Sequence, residues 1–159
     1  MHSKRGPFAP RTLAIAACLI SACLAPAWGA QRCASFASFD EGTPLSEKYR
    51  QRGFRFDFGD QSTQTFDHAA IFWGEQNPSV KTPYAGKKIH LEIKPHTAAW
   101  ISVQAIDANG NVAGSFDQGP PYPNPLIMNF ESAEGNLVRV NLQGGGNESG
   151  IARICVKRD

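Results

Sequence analysis

The sequence predicts an all-β fold, an antiparallel β-sandwich or jelly roll of about nine short strands with one short connector helix or turn. Short runs rich in β-branched and aromatic residues recur between Gly, Pro, Asn and Asp along most of the chain. No stretch keeps a helical period for about ten residues. The predicted strands are residues 32–38, 53–58, 69–73, 87–94, 98–107, 111–117, 126–131, 137–143 and 151–157.

The strand at residues 87–94 shows the pattern most clearly. Ile89, Leu91 and Ile93 alternate with polar side chains, and a period of two predicts one buried face and one solvated face. Residues 137–143 repeat this alternation. Both segments are therefore expected to pack one face against a second sheet.

The connections between strands are predicted from turn-forming and capping residues. Residues 107–111 contain Asp, Asn and Gly, which tolerate positive φ, and they predict a tight hairpin rather than a calcium loop, whose glycine and acid spacing they lack. Residues 44–51 are expected to form the short helix, with Thr43 as its N-cap. Longer loops are expected at residues 75–86 and at the proline-rich residues 118–125.

The N-terminal segment has the layout of a secretory signal. Lys4, Arg5 and Arg11 precede an apolar run at residues 12–24 that carries no charge. This run is shorter than the roughly 20 apolar residues that a transmembrane helix needs. Residues 1–29 are therefore predicted to be a signal peptide, the protein to be exported to the periplasm or the medium, and no transmembrane segment is expected.

The end of this signal has two interpretations. Cleavage after Gly29 or Ala27 places small residues at the positions that signal peptidase prefers. Residues 20–23 instead resemble the lipobox of bacterial lipoproteins, which would put a lipid anchor on Cys23. Residues 24–28 are apolar, whereas lipoproteins usually carry a polar tether there, and this favours ordinary secretion. Mass spectrometry of the mature N-terminus separates the two.

The remaining chain suits one domain at residues 30–159. The signal contains three of the 16 Lys and Arg and none of the 14 Asp and Glu, which leaves 13 basic and 14 acidic residues and a formal charge of −1. Nucleic-acid binding needs a clustered positive face, and a slightly acidic domain argues against it.

The cysteine count predicts one disulfide. Cys18 and Cys23 lie in the signal, so that an exported domain retains only Cys33 and Cys155, near its two ends. A bridge closing this long loop is expected to stabilise the fold by about 4 to 5 kcal/mol. The segments around the two cysteines should be antiparallel neighbours, with a Cα separation of about 4.4 to 6.8 Å.

The order of residues also resembles a known kind of domain. Residues 39–46 spell Phe-Asp-Glu-Gly-Thr-Pro-Leu-Ser and are followed by Tyr49, Gly53, Phe54 and Phe56. This phrase resembles the opening of secreted bacterial jelly-roll, galactose-binding-like β-sandwich domains, most of which have no characterised function. Residues 105–111 and 150–156 resemble the central hairpin and the closing strand of those domains. The resemblance implies a galactose-binding-like sandwich.

The resemblance also bears on metal binding. In related sandwiches, acids after the first strand help to tie the sheets together, which implies a structural calcium near Asp40 and Glu41. The alternative is that both are solvated turn residues, because two acids do not make a coordination shell. No other cofactor is expected.

Catalytic groups do not form a recognisable motif. No nucleophile elbow surrounds a serine, and the two thiols are better used as a bridge. The period-two pair His90 and Glu92 resembles a metal-ligand spacing, but a solvated strand face explains it more simply. The remaining candidates are two histidines and three carboxylates: His68, His96, Asp57, Asp60 and Asp67. The sequence does not bring any carboxylates together as an acid and base pair, so no enzyme is predicted.

The leading hypothesis is a binding module for carbohydrate or another surface polymer, because aromatic faces flanked by hydrogen-bonding side chains recognise sugars. The candidates are Trp73, Tyr84, Trp100 and Tyr122. For the two tryptophans the commoner role is core packing. The alternative is a periplasmic or surface accessory protein with a protein partner and no small ligand. Convergence of Trp73, Tyr84 and Tyr122 on one exposed patch favours carbohydrate, whereas burial or scattering favours the accessory role.

Overall fold

A computed structural model describes residues 30–59, 63–72, 76–96, 100–118, 124–144 and 149–158. Within these ranges the chain contains strands and turns and no helix. The strands are β1 (Gln31–Ser35), β2 (Pro44–Leu45), β3 (Arg50–Gln51), β4 (Phe54–Asp57), β5 (Thr63–Phe66), β6 (Ala69–Phe72), β7 (Ser79–Gly86), β8 (Lys88–Pro95), β9 (Ile101–Asp107), β10 (Val112–Gln118), β11 (Leu126–Glu131), β12 (Leu137–Gly144) and β13 (Ser149–Lys157).

The strands form two antiparallel sheets. The seven-stranded sheet has the order β11-β8-β13-β6-β5-β2, and β1 pairs with β13 beside β6. The six-stranded sheet has the order β10-β9-β12-β7-β4-β3. Each of the nine strands predicted from the sequence overlaps one of these strands, which confirms the all-β sandwich.

The core lies between the two sheets and follows the period of two. On β4, Phe54 and Phe56 are buried while Arg55 and Asp57 are exposed. On β8 the apolar side chains are buried and the intervening polar ones are not. Phe36, which directly follows β1, packs edge-on against Phe56, with ring centroids 5.3 Å apart. Strands such as β4 and β8 therefore give one face to the core and the other to solvent, whereas all four residues of β6 are buried.

Cys33 and Cys155 form a disulfide that joins β1 to β13. The two residues are directly opposite each other in the antiparallel pair. Their Cα atoms are 4.0 Å apart, slightly less than the lower end of the predicted separation. The reason is their placement, since residues that face each other at a non-hydrogen-bonded position approach to about 4.5 Å even without a bridge.

The helix predicted at residues 44–51 is wrong. This segment contains strands β2 and β3, joined by a turn at residues 46–49. Thr43 does not act as an N-cap, because its hydroxyl donates to the backbone oxygen of Asp40 at 2.6 Å. Tertiary pairing overrides the local preference: β2 pairs with β5 and β3 pairs with β4.

The loop predicted at residues 75–86 is also wrong over most of its length, because β7 occupies Ser79–Gly86. Pro83 suggested a loop, yet a strand can hold proline where its register is irregular. The β12 and β7 register shifts here: Arg139 is opposite Lys81, and Leu137 is opposite Gly86. Because the register is irregular here, the pairing does not need a backbone N–H from residue 83, and proline has none.

A hairpin that the sequence did not reveal joins β5 to β6. Its turn residues, Asp67 and His68, have φ values of 46° and 60°. Two consecutive residues with positive φ are typical of the tight turns that match the twist of paired strands. The turn was missed because such positions usually hold glycine or asparagine.

The predicted hairpin between β9 and β10 is present. Asp107 Oδ1 accepts hydrogen bonds from the backbone N–H groups of Asn109 at 2.9 Å and Asn111 at 2.8 Å. Gly110 has a φ of 88°. The hydrogen bond from the Asn111 backbone contributes most to holding the pKa of Asp107 below its ordinary value of 3.8, and the Asn109 backbone adds to it.

Several predictions concern residues outside the described ranges. They are the signal peptide at residues 1–29 with its cleavage site, Cys18 and Cys23, the candidates Trp73 and Tyr122, Asp60, and residues 119–123 of the proline-rich loop. Among the residues that the structure does describe, no helix is long and apolar enough to cross a membrane.

Removal of the disulfide should destabilise the domain strongly. For the double variant Cys33→Ser/Cys155→Ser we expect the free energy of unfolding to fall by about 4 kcal/mol, because the unfolded chain regains the freedom of a long loop. Urea unfolding of both proteins measures this difference. Reduced wild type should match the double variant, and a reductant should not change the variant itself. Equal stability of the oxidised wild type and the variant would contradict the prediction.

The Asp107 turn should make stability depend on pH. A folded-state pKa below the unfolded value of about 3.9 means that the carboxylate stabilises the fold above that pH, and that this stabilisation is lost as the pH falls through the folded-state pKa. Asp107→Asn keeps an acceptor oxygen but does not titrate. Its free energy of unfolding should therefore fall less steeply than that of wild type below about pH 4.

Urea unfolding at a series of pH values tests this expectation. The control is Asp117→Asn, in the same hairpin, because the Asp117 side chain accepts no hydrogen bond from any described residue. Asp117→Asn should keep the wild-type slope. If Asp107→Asn also keeps it, the turn carboxylate does not contribute as stated.

Candidate functional site

Tyr84 is placed between the sheets rather than on an open surface. Its hydroxyl donates hydrogen bonds towards the backbone oxygens of Ala30 at 2.7 Å and Val156 at 3.0 Å. The guanidinium carbons of Arg158 and Arg32 lie 4.4 and 5.8 Å from its ring centroid. Tyr84 is half-buried, and these contacts tie β7 to the two ends of the domain. Trp73 and Tyr122 lie outside the described residues, so the convergence of the three aromatic side chains stays a prediction.

Asp40 and Glu41, the calcium candidates, lie in an exposed turn after β1. The backbone oxygen of Asp40 accepts hydrogen bonds from the hydroxyls of Thr43 and Thr65, both at 2.6 Å. Over the described part of the chain, no three His, Cys, Asp or Glu side chains are grouped as a metal site. Calcium binding here stays a prediction.

The histidine pair of β8 belongs to a network on the outer face of the seven-stranded sheet. His90 Nδ1 lies 2.8 Å from Asn129 Oδ1, and His90 Nε2 lies 2.9 Å from Glu92 Oε1. Arg153 Nη1 lies 3.8 Å from the same Glu92 oxygen. Both ring nitrogens of His90 therefore already face protein partners.

The carboxylate candidates Asp57 and Asp67 lie in different sheets. Asp57 ends β4, while Asp67 occupies the β5–β6 turn, where Lys94 Nζ approaches it to 3.2 Å and His96 Nε2 to 3.7 Å. Partial burial by itself would raise the pKa of Asp67, but Lys94 and His96 outweigh it and lower the pKa below its ordinary value. The two acids do not form an acid and base pair.

Trp100 lies on the surface, with 58% of its area exposed. The core role that is commoner for tryptophan does not apply, because Trp100 precedes β9, whose inward positions start at Ile101. Gly144 at the end of β12 makes room for it: a Cβ on Gly144, whose φ is 82°, would lie 3.2 Å from the Trp100 carbonyl carbon. Trp100 therefore has the exposed position that a sugar platform needs.

A polar path runs from Trp100 across the outer face of the six-stranded sheet. Three adjoining depressions form it: the first and second share Ser102 and Gln143, and the second and third share Ser79. Gln104 and Asn141 face each other in the second depression. The polar path thus consists of Ser102, Gln143, Gln104, Asn141 and Ser79. Within the described ranges, none of these five side chains makes a hydrogen bond to another residue.

The third depression contains a row of cations. Arg50 is opposite Arg55, Arg55 is opposite Lys81, and Lys81 is opposite Arg139 on four neighbouring strands. All four side chains line the depression, together with Lys48. We call Arg50, Arg55, Lys81 and Arg139 the cation row. No described residue forms an ion pair with any of them.

Two further side chains adjoin the cation row. Asp57 is the single acid among the described residues that line the third depression, and its Oδ1 accepts a hydrogen bond from the Gly59 backbone at 3.1 Å. Tyr49 lines the same depression, and burial raises the pKa of its phenol above the ordinary value of 10.0. The Tyr49 hydroxyl is therefore neutral at physiological pH.

The two outer faces of the sandwich differ in how they use charge. On the seven-stranded sheet, Lys88 pairs with Glu131 at 3.1 Å and Arg153 lies near Glu92. On the six-stranded sheet the cations are aligned with each other over four strands, whereas Lys88 of the seven-stranded sheet, which is opposite Lys157, also has Glu131 beside it. Like charges directly opposite each other on a sheet are destabilising, so the cation row opposes folding in the absence of a partner.

Sequence reasoning missed the cation row and the polar path. The signal that was available is alternation, since Arg55 and Lys81 each lie between buried neighbours, and Arg139 lies between the half-buried Val138 and the buried Val140. Alternation assigns a side chain to a face but does not show which strands are neighbours or how they are aligned. The row becomes visible only once the register is known.

Comparison with known proteins identifies the class of fold. No known family profile matches the sequence, and no curated protein matches it. Several solved structures do match, among them carbohydrate-binding modules and a carbohydrate esterase. The match confirms the β-sandwich fold that the residue order suggested.

Two of these structures show the extent of the likeness. The carbohydrate-binding module CBM29_1 from Piromyces equi has 16% sequence identity, a TM-score of 0.50, and coverage of 82% of this chain and 92% of its own. A family two carbohydrate esterase from Cellvibrio japonicus has 11% identity and a TM-score of 0.47. The match covers 82% of this chain but 34% of that esterase, so this chain spans about a third of it.

Removing one member of the cation row should stabilise the domain. For Lys81→Gln we expect the free energy of unfolding at low ionic strength to rise by about 0.2 to 1 kcal/mol, because two like-charge pairs disappear. Added salt should shrink the difference, since it screens exposed charges. Lys94→Gln is the matched control, because Lys94 is paired with Asp67 and is opposite Gly150 rather than another cation. If Lys81→Gln destabilises the protein as Lys94→Gln does, the like-charge argument is wrong.

Proposed function

We propose that this protein is an exported carbohydrate-binding module whose binding surface is the outer face of the six-stranded sheet. In this proposal residues 1–29 direct export and residues 30–159 form the single domain. The disulfide between Cys33 and Cys155 supports an oxidising compartment. The similarity of the fold to carbohydrate-binding modules is compatible with the proposal, which rests on the surface itself.

The observation that carries the proposal is the continuous polar path that starts at the exposed Trp100. An indole face supplies a flat apolar platform for the C–H face of a sugar ring. The amides of Gln104, Asn141 and Gln143 provide donors and acceptors for sugar hydroxyls, and they are not used by other described residues. A ligand that lies along this path would meet an aromatic platform first and hydrogen-bonding groups next.

The surface favours binding over chemistry. The depressions are open, and the described side chains that line the polar path contain one carboxylate, Asp117, and no histidine or cysteine. Hydrolysis of a glycosidic bond needs two carboxyl groups flanking it. The polar path has the composition of a recognition surface.

The test is the variant Trp100→Ala. Affinity gel electrophoresis against a panel of neutral and acidic polysaccharides should show the wild type retarded by at least one polymer. Loss of a stacking contact of about 1 to 1.5 kcal/mol would weaken binding about five- to tenfold. Because Trp100 is exposed, the stability of the variant should stay within about 0.5 kcal/mol of wild type.

Ile127→Ala is the matched control. Ile127 is 60% exposed, lies on the seven-stranded sheet and is opposite Glu92, so its loss should leave polysaccharide binding unchanged. Unaltered binding by Trp100→Ala would refute the proposed surface. Failure of the folded, oxidised wild type to bind any polymer of the panel would refute the carbohydrate function and leave the accessory role with a protein partner.

A further inference from the structure

The cation row adjoins the polar path but has a different chemistry. The polar path ends at Ser79, which also lines the depression that contains the cation row. Beyond it, four cations are aligned on neighbouring strands and face no acid within ion-pair distance in the described part of the molecule. Neutral sugar hydroxyls do not require such an arrangement.

The alignment has a definite size. Neighbouring strands are about 4.8 Å apart, so that the row from Arg50 to Arg139 spans roughly 14 Å. A ligand that relieved repulsion along this row would carry several negative charges in sequence. A single small anion would meet only part of it. The dimensions therefore fit a segment of a linear polyanion.

We propose that the cation row binds the carboxylates of an acidic polysaccharide, a polymer that contains uronic acid residues. This inference rests on the proposed function and specifies its ligand. Arginine forks donate two parallel hydrogen bonds to one carboxylate, and Arg50, Arg55 and Arg139 supply three such forks in line. Lys81 lies between Arg55 and Arg139 and adds a point charge.

Polyphosphates such as nucleic acids fit the surface less well. Residues 30–159 carry a formal charge of −1, whereas nucleic-acid binding needs a broad, clustered basic face. The row also continues into amides and an indole, which suit sugar hydroxyls and sugar faces.

The experiment compares two ligands that differ in charge alone. Sodium polygalacturonate and its highly methyl-esterified form share one backbone, but the ester form has lost most of its carboxylates. The full chain, expressed with its own N-terminal segment and purified oxidised, is run in affinity gels that contain either polymer. We expect strong retardation by polygalacturonate and at least about tenfold weaker binding to the ester. Binding to polygalacturonate should weaken as salt is added.

Two double variants separate the row from net charge. Lys81→Gln/Arg139→Gln removes two charges from the cation row, and Lys88→Gln/Arg153→Gln removes two from the opposite sheet, where both are near acids. The first should bind polygalacturonate about tenfold more weakly and show a smaller salt dependence. The second should stay within about twofold of wild type. Thermal unfolding checks that both are folded, and the single variant Arg55→Gln provides an independent test.

The possible results separate the acidic-polysaccharide inference from its alternatives. Equal retardation by the acidic and esterified polymers, or equal weakening by both double variants, would overturn the acidic-polysaccharide inference. Tighter binding to a single-stranded oligonucleotide than to polygalacturonate would overturn it in favour of a phosphate polymer. If the wild type binds a neutral polysaccharide through Trp100 and ignores polygalacturonate, the inference fails while the proposed function stands. If no polysaccharide binds, both fail.

Discussion

The structure depends on burying one face of every long strand between two sheets. This requirement determines which side chains point outward, because a slip of one residue would exchange the apolar and polar faces of a strand. The buried Phe54 and Phe56 hold Arg55 outward, and Val80 does the same for Lys81. Packing in the interior thus aligns charged groups on the exterior.

Strand β13 connects the ends of the chain to this arrangement. It pairs with β8 along one edge, and with β6 and β1 along the other. The disulfide joins β1 to β13 close to the C-terminal end of β13. The hydroxyl of Tyr84, from the six-stranded sheet, donates a hydrogen bond to the backbone oxygen of Val156 on β13. The disulfide therefore ties together two strands of the seven-stranded sheet, and the Tyr84 hydroxyl fastens the six-stranded sheet to the same strand β13. The outer face of the six-stranded sheet carries none of these constraints.

The two outer faces differ in the surroundings of their cations. Cations on the seven-stranded sheet lie near acids from neighbouring strands, and His90 joins Glu92 and Asn129 in the same network. On the six-stranded sheet the cation row is aligned without such acids, beside amides that no other described residue uses. A protein tolerates destabilising contacts mainly where they serve a ligand. The binding surface that we propose is accordingly the six-stranded face.

The sequence by itself determined the local features. Runs of β-branched and aromatic residues predicted nine strands, and alternation predicted a buried face at residues 87–94 and 137–143. The count of cysteines pointed to one pair, and Asp, Asn and Gly at residues 107–111 predicted a hairpin. The strands and the hairpin depend on residues that are near one another in the sequence. The cysteine pair follows because the other two cysteines lie in the predicted signal. The same local signals failed at residues 44–51 and around Pro83, because pairing with distant strands overrode helix and turn preferences.

Only the tertiary structure decided the site. Nothing along the chain says that Arg55, Lys81 and Arg139 are neighbours, since they are separated by dozens of residues and meet through strand register alone. The same holds for the aromatic residues: Tyr84 is held between the sheets, whereas Trp100 is exposed at the start of the polar path. The physical reason is that a period of two sets the face of a side chain, but long-range pairing sets its neighbours.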